Sequence, residues 1–352
     1  LPEQIFEHIL KVAVALLIMT AMPFTAMART TGVDSLEQKD AFRIMFYNLE
    51  NLFDTYNDPL TRDDEFTPKG AKRWSEYRYR KKLLDISKVM LALGEWNPPD
   101  VIGLCEVENF QVLLDLVTKT PLKSLNYQIV HENSRDQRGI DVALLYNPAH
   151  VKKIAHKPIR ISDKGGWETR DILLSEMVLG AKDTIHFFVN HWPSRFGGKE
   201  QSEHKRLIAA KTLRYYVDSI AAIDQRSGII IMGDFNDEAG DKSIREELDA
   251  KPIDRSVVDN KIYNLTYPDY RARLGTLVFK EIENTWFLFD QMMVSGSLLN
   301  GKGLEVKNHR SMIFSQPWLL LSGKPFRTYQ GPAYKGGFSD HLPIFIDLYY
   351  SQ

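Results

Sequence analysis

The chain has 352 residues, 43% of them hydrophobic, with 45 basic and 46 acidic side chains and a formal net charge of −1. That length suits one large domain or two small ones, and no internal repeat divides it. The near-neutral balance disfavours a protein that works by neutralising many nucleic-acid phosphates, and Cys105, the only cysteine, excludes an intrachain disulfide or a cysteine-based zinc site.

At the amino terminus, Lys11 precedes an apolar run from Val12 to Ala26 that is too short for a comfortable membrane span. Ala26-Met27-Ala28 has the small-residue spacing of a signal-peptidase site, and a polar stretch from Arg29 to Asp40 follows. The expected organisation is therefore a signal peptide over 1–28, a disordered linker over 29–40 and one folded domain over 41–352, with a buried amino-terminal helix as the competing reading. Removing Glu3, Glu7 and Lys11 with the leader takes away a net −1 and leaves a mature chain of formal charge 0. With neither a twin-arginine pair nor a lipidation cysteine, the expected destination is periplasmic or secreted, without a stable membrane anchor.

Short apolar runs then recur: Phe42 to Tyr47, Val101 to Cys105, Tyr127 to Val130, Val142 to Tyr146, Ile185 to Val189, Ile229 to Met232, Gln291 to Val294 and Ile344 to Tyr349. Their length and β-branched or aromatic content predict strands, several of them apolar on both faces and hence central. Helical spacing marks Tyr77 to Leu93, Phe110 to Thr118 and Glu200 to Ala222, where Leu207, Ala210, Leu213 and Val217 recur at three- and four-residue steps. The irregular alternation predicts an α/β fold, two central mixed sheets flanked by helices in about four layers. Two stretches, Lys251 to Phe279 and Gly301 to Tyr334, are weakly periodic and read as long loops.

Polar residues gather where the strands end. The first strand runs into Asn48-Leu49-Glu50-Asn51, the second into Glu106-Val107-Glu108-Asn109, and Ile229 to Met232 stops at Gly233-Asp234-Phe235-Asn236. The last strand is entered through Ser339-Asp340-His341-Leu342-Pro343. In a layered α/β domain such groups can converge on one crevice, and carboxylates with amides suit a hard cation such as Mg²⁺. Taken singly, each motif could be a turn, a helix cap or a strand end.

As an ordered set, these motifs resemble the endonuclease/exonuclease/phosphatase superfamily, which includes DNase I, the exonuclease III-type apurinic endonucleases, inositol polyphosphate 5-phosphatases and sphingomyelinases. The resemblance covers about residues 41 to 352 and implies a DNase I-like four-layer sandwich. It implies that Glu106, Glu50 and Asp340 face a divalent cation, Mg²⁺ foremost, with Mn²⁺ or Ca²⁺ as alternatives. Asn48, Asn236 and His191 (in Val189-Asn190-His191-Trp192-Pro193) fall on phosphate-binding positions, Asp234 on the group that orients or deprotonates water, and Asp290 on the support of the terminal histidine, His341. His341 would bind a nonbridging oxygen or protonate the leaving group.

Arg138 in Arg138-Gly139-Ile140-Asp141 and Arg195 in Ser194-Arg195-Phe196-Gly197-Gly198 are further candidates to bind a substrate anion, against the alternatives of a hairpin turn and a surface loop. Glu108, the Tyr77 to Lys82 run and Arg62-Asp63-Asp64-Glu65 read as solvated or capping groups. The expected activity is hydrolysis of a phosphodiester or phosphomonoester by in-line attack of an activated water. Its substrate would be a phosphorylated small molecule or a nucleic acid, and no protein partner is implied. An extracellular endonuclease, with a basic groove from Arg73, Arg78, Arg80 and Lys81, is the first alternative, and a non-catalytic ligand-binding member of the fold is the second.

Overall fold

The computed structural model describes residues 39–351, apart from Trp96, Lys164, Ala181, Arg255 and residues 280–284. The expected signal peptide and all of the expected linker before Lys39 lie outside the described residues. Lys39 itself is tied to the domain by an ion pair with buried Asp100 at 2.7 Å. No helix among the described residues is long and apolar enough to cross a membrane.

In chain order the main elements are β1 (Ala41–Leu52), α1 (Glu76–Gly94), β2 (Val101–Val107), α2 (Phe110–Thr118), β3 (Gln128–His131), β4 (Asp141–Tyr146), β5 (Val151–Ile159) and β6 (Ile172–Leu179). They continue with β7 (Asp183–His191), α3 (Lys199–Ile223), β8 (Gly228–Asp234), β9 (Ile262–Asn264), β10 (Asp290–Ser295), β11 (Leu304–Val306), β12 (Met312–Ile313) and β13 (Ile344–Tyr350). One sheet runs β11-β13-β1-β2-β4-β3 with β12 also on β13, and the other runs β5-β6-β7-β8-β10-β9. Each is mixed: β1 and β2 are parallel in the first sheet, β7 and β8 in the second, and the other neighbours are antiparallel.

The burial pattern explains the stacking. Phe42, Ile44, Phe46 and Leu144 of the first sheet meet Phe187, Val189, Ile230 and Met232 of the second in a core between the sheets. The opposite face of β1 and β2 packs under Ile86, Met90 and Val112 of α1 and α2, and that of β7 and β8 under Ala210, Leu213 and Val217 of α3. The expected four layers are thus helices, sheet, sheet, helix, and each fully buried aliphatic or aromatic side chain contributes about 1.5–3 kcal/mol. Gly103 lets the sheets approach closely, since a Cβ there would meet Met232 Sδ at 2.7 Å.

Sequence reasoning passed over β5 and β6. The first is an edge strand carrying Lys152, Lys153, Lys157 and Pro158, the composition that blunts an open edge and hides the alternation of a half-buried strand. Four groups expected to be solvated are buried instead, among them Tyr79 of α1, 4% exposed. Lys82 is 2% exposed beneath the loop before β13, and Asp63 is 1% exposed. Glu108, 8% exposed, accepts a hydrogen bond from the Asp54 amide at 2.6 Å, and burial first, with the charges of Asp54 and Asp63, pushes it up to about 8.

Candidate active site

The site forms where both sheets end at the same side, and local backbone irregularity aims its acids. Between β1 and β2 the register steps from Asn48 opposite Cys105 to Leu52 opposite Val107, and between β2 and β4 from Cys105 opposite Val142 to Val107 opposite Asp141. Glu106 is therefore the extra residue of a bulge, and Glu50, Glu106 and Asn236 all have left-handed backbones with φ of 49°, 60° and 50°. Such conformations cost energy in non-glycine residues and tend to be kept where a side chain must be re-aimed.

On the second sheet the pairing does the positioning. His191 lies opposite Asp234 across β7 and β8, and Asp234 lies opposite Asp290 across β8 and β10, so the three form one row. His341 enters from the first sheet, in the segment leading to β13. A backbone bridge to Leu277 and a hydrogen bond from the Leu342 amide to the Thr276 carbonyl (2.8 Å) fix its place.

These side chains converge on Oδ2 of Asp234. Asn48 donates Nδ2 to it at 3.1 Å, His191 Nε2 is 3.8 Å away and His341 Nε2 is 3.9 Å away. The other oxygen, Oδ1, accepts the Asn236 amide at 2.9 Å. Burial, with Asp290 and Glu106 adding like charge, pushes Asp234 up to about 7 against the opposing pull of His341. A carboxylate poised there can take a proton near neutral pH.

The two imidazoles are driven apart in charge. Burial foremost, then the cations Arg170, Arg138 and His341, holds His191 well below the ordinary histidine value, so it is neutral at pH 7. Its Nδ1 is buried with no hydrogen-bond partner among the described residues, while Nε2 faces Asp234 and, at 4.0 Å, Glu106 Oε1. Burial also disfavours charge on His341, but Asp290, 2.7 Å from its Nδ1, outweighs burial together with Asp234 and Asp340 and keeps it cationic. Thr276 donates its hydroxyl to the same Asp290 oxygen and fixes that carboxylate in turn. Sequence reasoning missed Thr276, which sits in a weakly periodic loop with no motif around it.

The expected metal acids form a second group beside the first. Glu106 Oε2 accepts the Asn51 amide at 2.8 Å, and Asp340 Oδ2 accepts Arg327 Nη2 at 2.6 Å. Glu106 Oε1 and Asp340 Oδ1 carry no hydrogen bond among the described residues, and each lies 4.0 Å from an imidazole of the first group. Glu50 gives both oxygens to the amides of Thr328 (2.5 Å) and Tyr329 (3.1 Å), so it acts on the group mainly through its charge. Burial and the charge of Asp340 push Glu50 up to about 7, and buried Lys82 opposes them. Lys82 also ties Thr328 Oγ1 and the Phe338 carbonyl, each at 2.6 Å. A pocket of about 160 Å³ opens over Glu50, Asn51, Arg327 and Asp340.

Free, hard carboxylate oxygens crowded with like charge fit a divalent cation of the Mg²⁺ class. Asp234, Asp290 and His341 also bring ligand atoms within 4.8 Å of one another. There, however, the Asp290–His341 hydrogen bond already occupies Nδ1, and the trio is better read as a charged dyad facing Asp234.

The two arginines expected to bind substrate are placed differently. Arg138 is exposed at the rim, donates to Asn51 Oδ1 at 2.5 Å and adds to the positive field at His191. Arg195 is turned inward: Nε donates to the Asn236 carbonyl (2.8 Å), and Nη2 donates to Asp237 (3.1 Å) and Asp241 (2.7 Å) over the Phe289 ring. Its charge is already matched by two carboxylates, and it braces the Asp234–Asn236 turn from behind. The proposed basic groove is likewise largely spent, since Arg78 donates to the Lys72 and Arg73 carbonyls and lies 4.3 Å over Tyr334.

Residues 43–350 match the model of the Endonuclease/Exonuclease/phosphatase family. Solved structures agree in fold. Caenorhabditis elegans TDP2 is 13% identical with a TM-score of 0.53, over 88% of this chain and 75% of that one. The human Nocturnin catalytic domain with bound sulfate is 17% identical with a TM-score of 0.54, over 88% and 94%. The mannosyl-6-phosphatase of Bacteroides thetaiotaomicron is 16% identical with a TM-score of 0.54, over 87% and 99%. No curated protein matches the sequence. With the family model spanning nearly all of the described domain, and the site at the sheet ends where the motifs fall, the chain belongs to the Endonuclease/Exonuclease/phosphatase family of phosphoesterases.

Proposed function

We propose that the protein is an exported, divalent-metal-dependent phosphoesterase that hydrolyses a phosphodiester or phosphomonoester by in-line attack of water. The carrying observation is the convergence of Asn48, His191 and His341 on Asp234 Oδ2 within 3.9 Å, beside the free oxygens of Glu106 and Asp340. Export rests on the apolar run from Val12 to Ala26 and the small residues that close it.

In this reading Asp234 takes the proton of the attacking water, the new P–O bond forms, and the bond to the leaving oxygen breaks. Asn48, Asn236 and neutral His191 donate to nonbridging oxygens, and cationic His341 faces the same phosphoryl group as hydrogen-bond donor or acid. Glu106 and Asp340, with Glu50 behind them, would hold the cation, which supplies positive charge against the phosphate oxygens. Arg138 stands at the rim, where a substrate anion would pass.

Hydrolysis of p-nitrophenyl phosphate and bis(p-nitrophenyl) phosphate with Mg²⁺, Mn²⁺, Ca²⁺ and EDTA tests this. A metal-stimulated rate that EDTA abolishes is expected, and no turnover of either ester with any cation would refute it. The nuclease alternative is weakened by the internal pairing of Arg78 and by the formal net charge of −1.

A further inference from the structure

A second pocket, of about 200 Å³, adjoins the one over the acids, and both have Arg327 and Asp340 in their walls. Two small hairpins build it, one pairing Leu320–Leu321 with Lys324–Pro325 and the other Tyr329–Gln330 with Ala333–Tyr334. The second hairpin is the one whose Tyr329 amide holds Glu50, so the pocket is fixed relative to the reacting centre.

Its charge is unlike that of its surroundings. Arg327 and Asp340 are paired at 2.6 Å and cancel, and Lys72, Lys81 and Lys82 nearby all have acceptors. The ammonium groups of Lys324 and Lys335, which also line the pocket, have no hydrogen-bond or ion-pair partner among the described residues. Gln330 adds a neutral donor and acceptor, and Phe326 with buried Pro325 supplies an apolar wall. Two lysines whose ammonium groups lack a counter-charge, among the residues lining a concavity one ion pair away from the phosphoryl site, make a place for an anion.

We propose that this pocket receives a second anionic group of the substrate, a phosphate or carboxylate on a compact organic body, with Lys324 and Lys335 as its counter-ions. The inference rests on the phosphoesterase reading and narrows its substrate class. The volume is below the roughly 300–1,000 Å³ usual for small-molecule pockets, which suits one sugar-sized body and its anion. A nucleic-acid strand would instead call for a basic stripe continuing past the pocket, and the arginines of α1 are turned to protein acceptors or ring faces.

The test compares kcat/KM of the full chain on a hexose bisphosphate, the matching hexose monophosphate and a short oligonucleotide, in wild type and in the Lys324→Ala/Lys335→Ala double variant. The readout is the bisphosphate-to-monophosphate ratio. It is expected to be about tenfold or more in wild type, expressed mainly in KM, and to fall close to one in the double variant. Lys324→Arg/Lys335→Arg is expected to keep most of it. A wild-type ratio near one, a ratio unchanged in the double variant, or a larger advantage for the oligonucleotide overturns the proposal. If no ester at all is turned over, the activity reading fails by itself. Calorimetric binding of the hexose bisphosphate then decides the pocket: binding weakened about tenfold in the double variant supports it, and equal or absent binding refutes it.

Discussion

Asn48 of the first sheet donates its side-chain amide to Asp234 of the second at 3.1 Å, and across this hydrogen bond the two halves of the sandwich share one reacting centre. The bond orients an oxygen that two imidazoles also face, so the competence of Asp234 depends on groups from both sheets.

Asp234→Asn is expected to lower kcat by about a thousandfold, within the range attributed to a lost general base. Stability should hold or rise, because the buried carboxylate is pushed up to about 7 by desolvation and the neutral amide removes that strain. Steady-state rates and a thermal melt of the same preparation check both halves. A variant retaining near-normal turnover would remove Asp234 from its role.

Asp290→Asn is expected to leave the imidazole in place but take away the charge that keeps His341 protonated. A cationic His341 is lost as pH rises through its folded pKa, so the alkaline limb of the kcat/KM profile should move to lower pH, with a loss of about a hundredfold at pH 8. A pH–rate series on both proteins reads the shift directly, and an unmoved limb would separate the dyad from catalysis.

Without metal, stability should fall between pH 6.5 and 8. In that window Glu50 and Asp234, pushed up to about 7, still bind protons in the folded chain that the unfolded chain has released, and raised His341 acts in the same sense. His191, held below the ordinary value, contributes only at lower pH. Mg²⁺ favours the ionised acids and should flatten or reverse the trend. Urea titrations at several pH values, with EDTA and with Mg²⁺, measure it.

Lys82→Met should cost about 3 kcal/mol, since it removes a buried positive charge that opposes the crowding at Glu50 and strips the donor from Thr328 Oγ1 and the Phe338 carbonyl. Chemical denaturation gives the magnitude. The loop holding Thr328 and Tyr329 should loosen as well, visible as faster hydrogen exchange of the two amides that bind Glu50.

What the sequence disclosed follows physical lines. Central strands such as β1, β2 and β8 are buried on both faces and announce themselves as apolar runs, and the polar residues that interrupt them mark the crevice. Lys82 was invisible because its neighbours Arg80 and Lys81 make the run look uniformly solvated, and only the loop folded over α1 shows which of the three is covered. Thr276 carries no motif, and its partner Asp290 comes together with it only through tertiary folding. Arg195 shows a related limit: proximity to His191 along the chain says nothing of Asp237 and Asp241, which hold its guanidinium from another loop.

The close approach at Gly103 makes the packing between the sheets a spacer for the chemistry at their ends. A methyl group there would displace the flexible thioether of Met232, and a side chain larger than that shift can absorb would part the sheets and lengthen the reach from Asn48 to Asp234. Side chains that never meet a substrate can therefore tune the rate, by setting how thick the protein is in its middle.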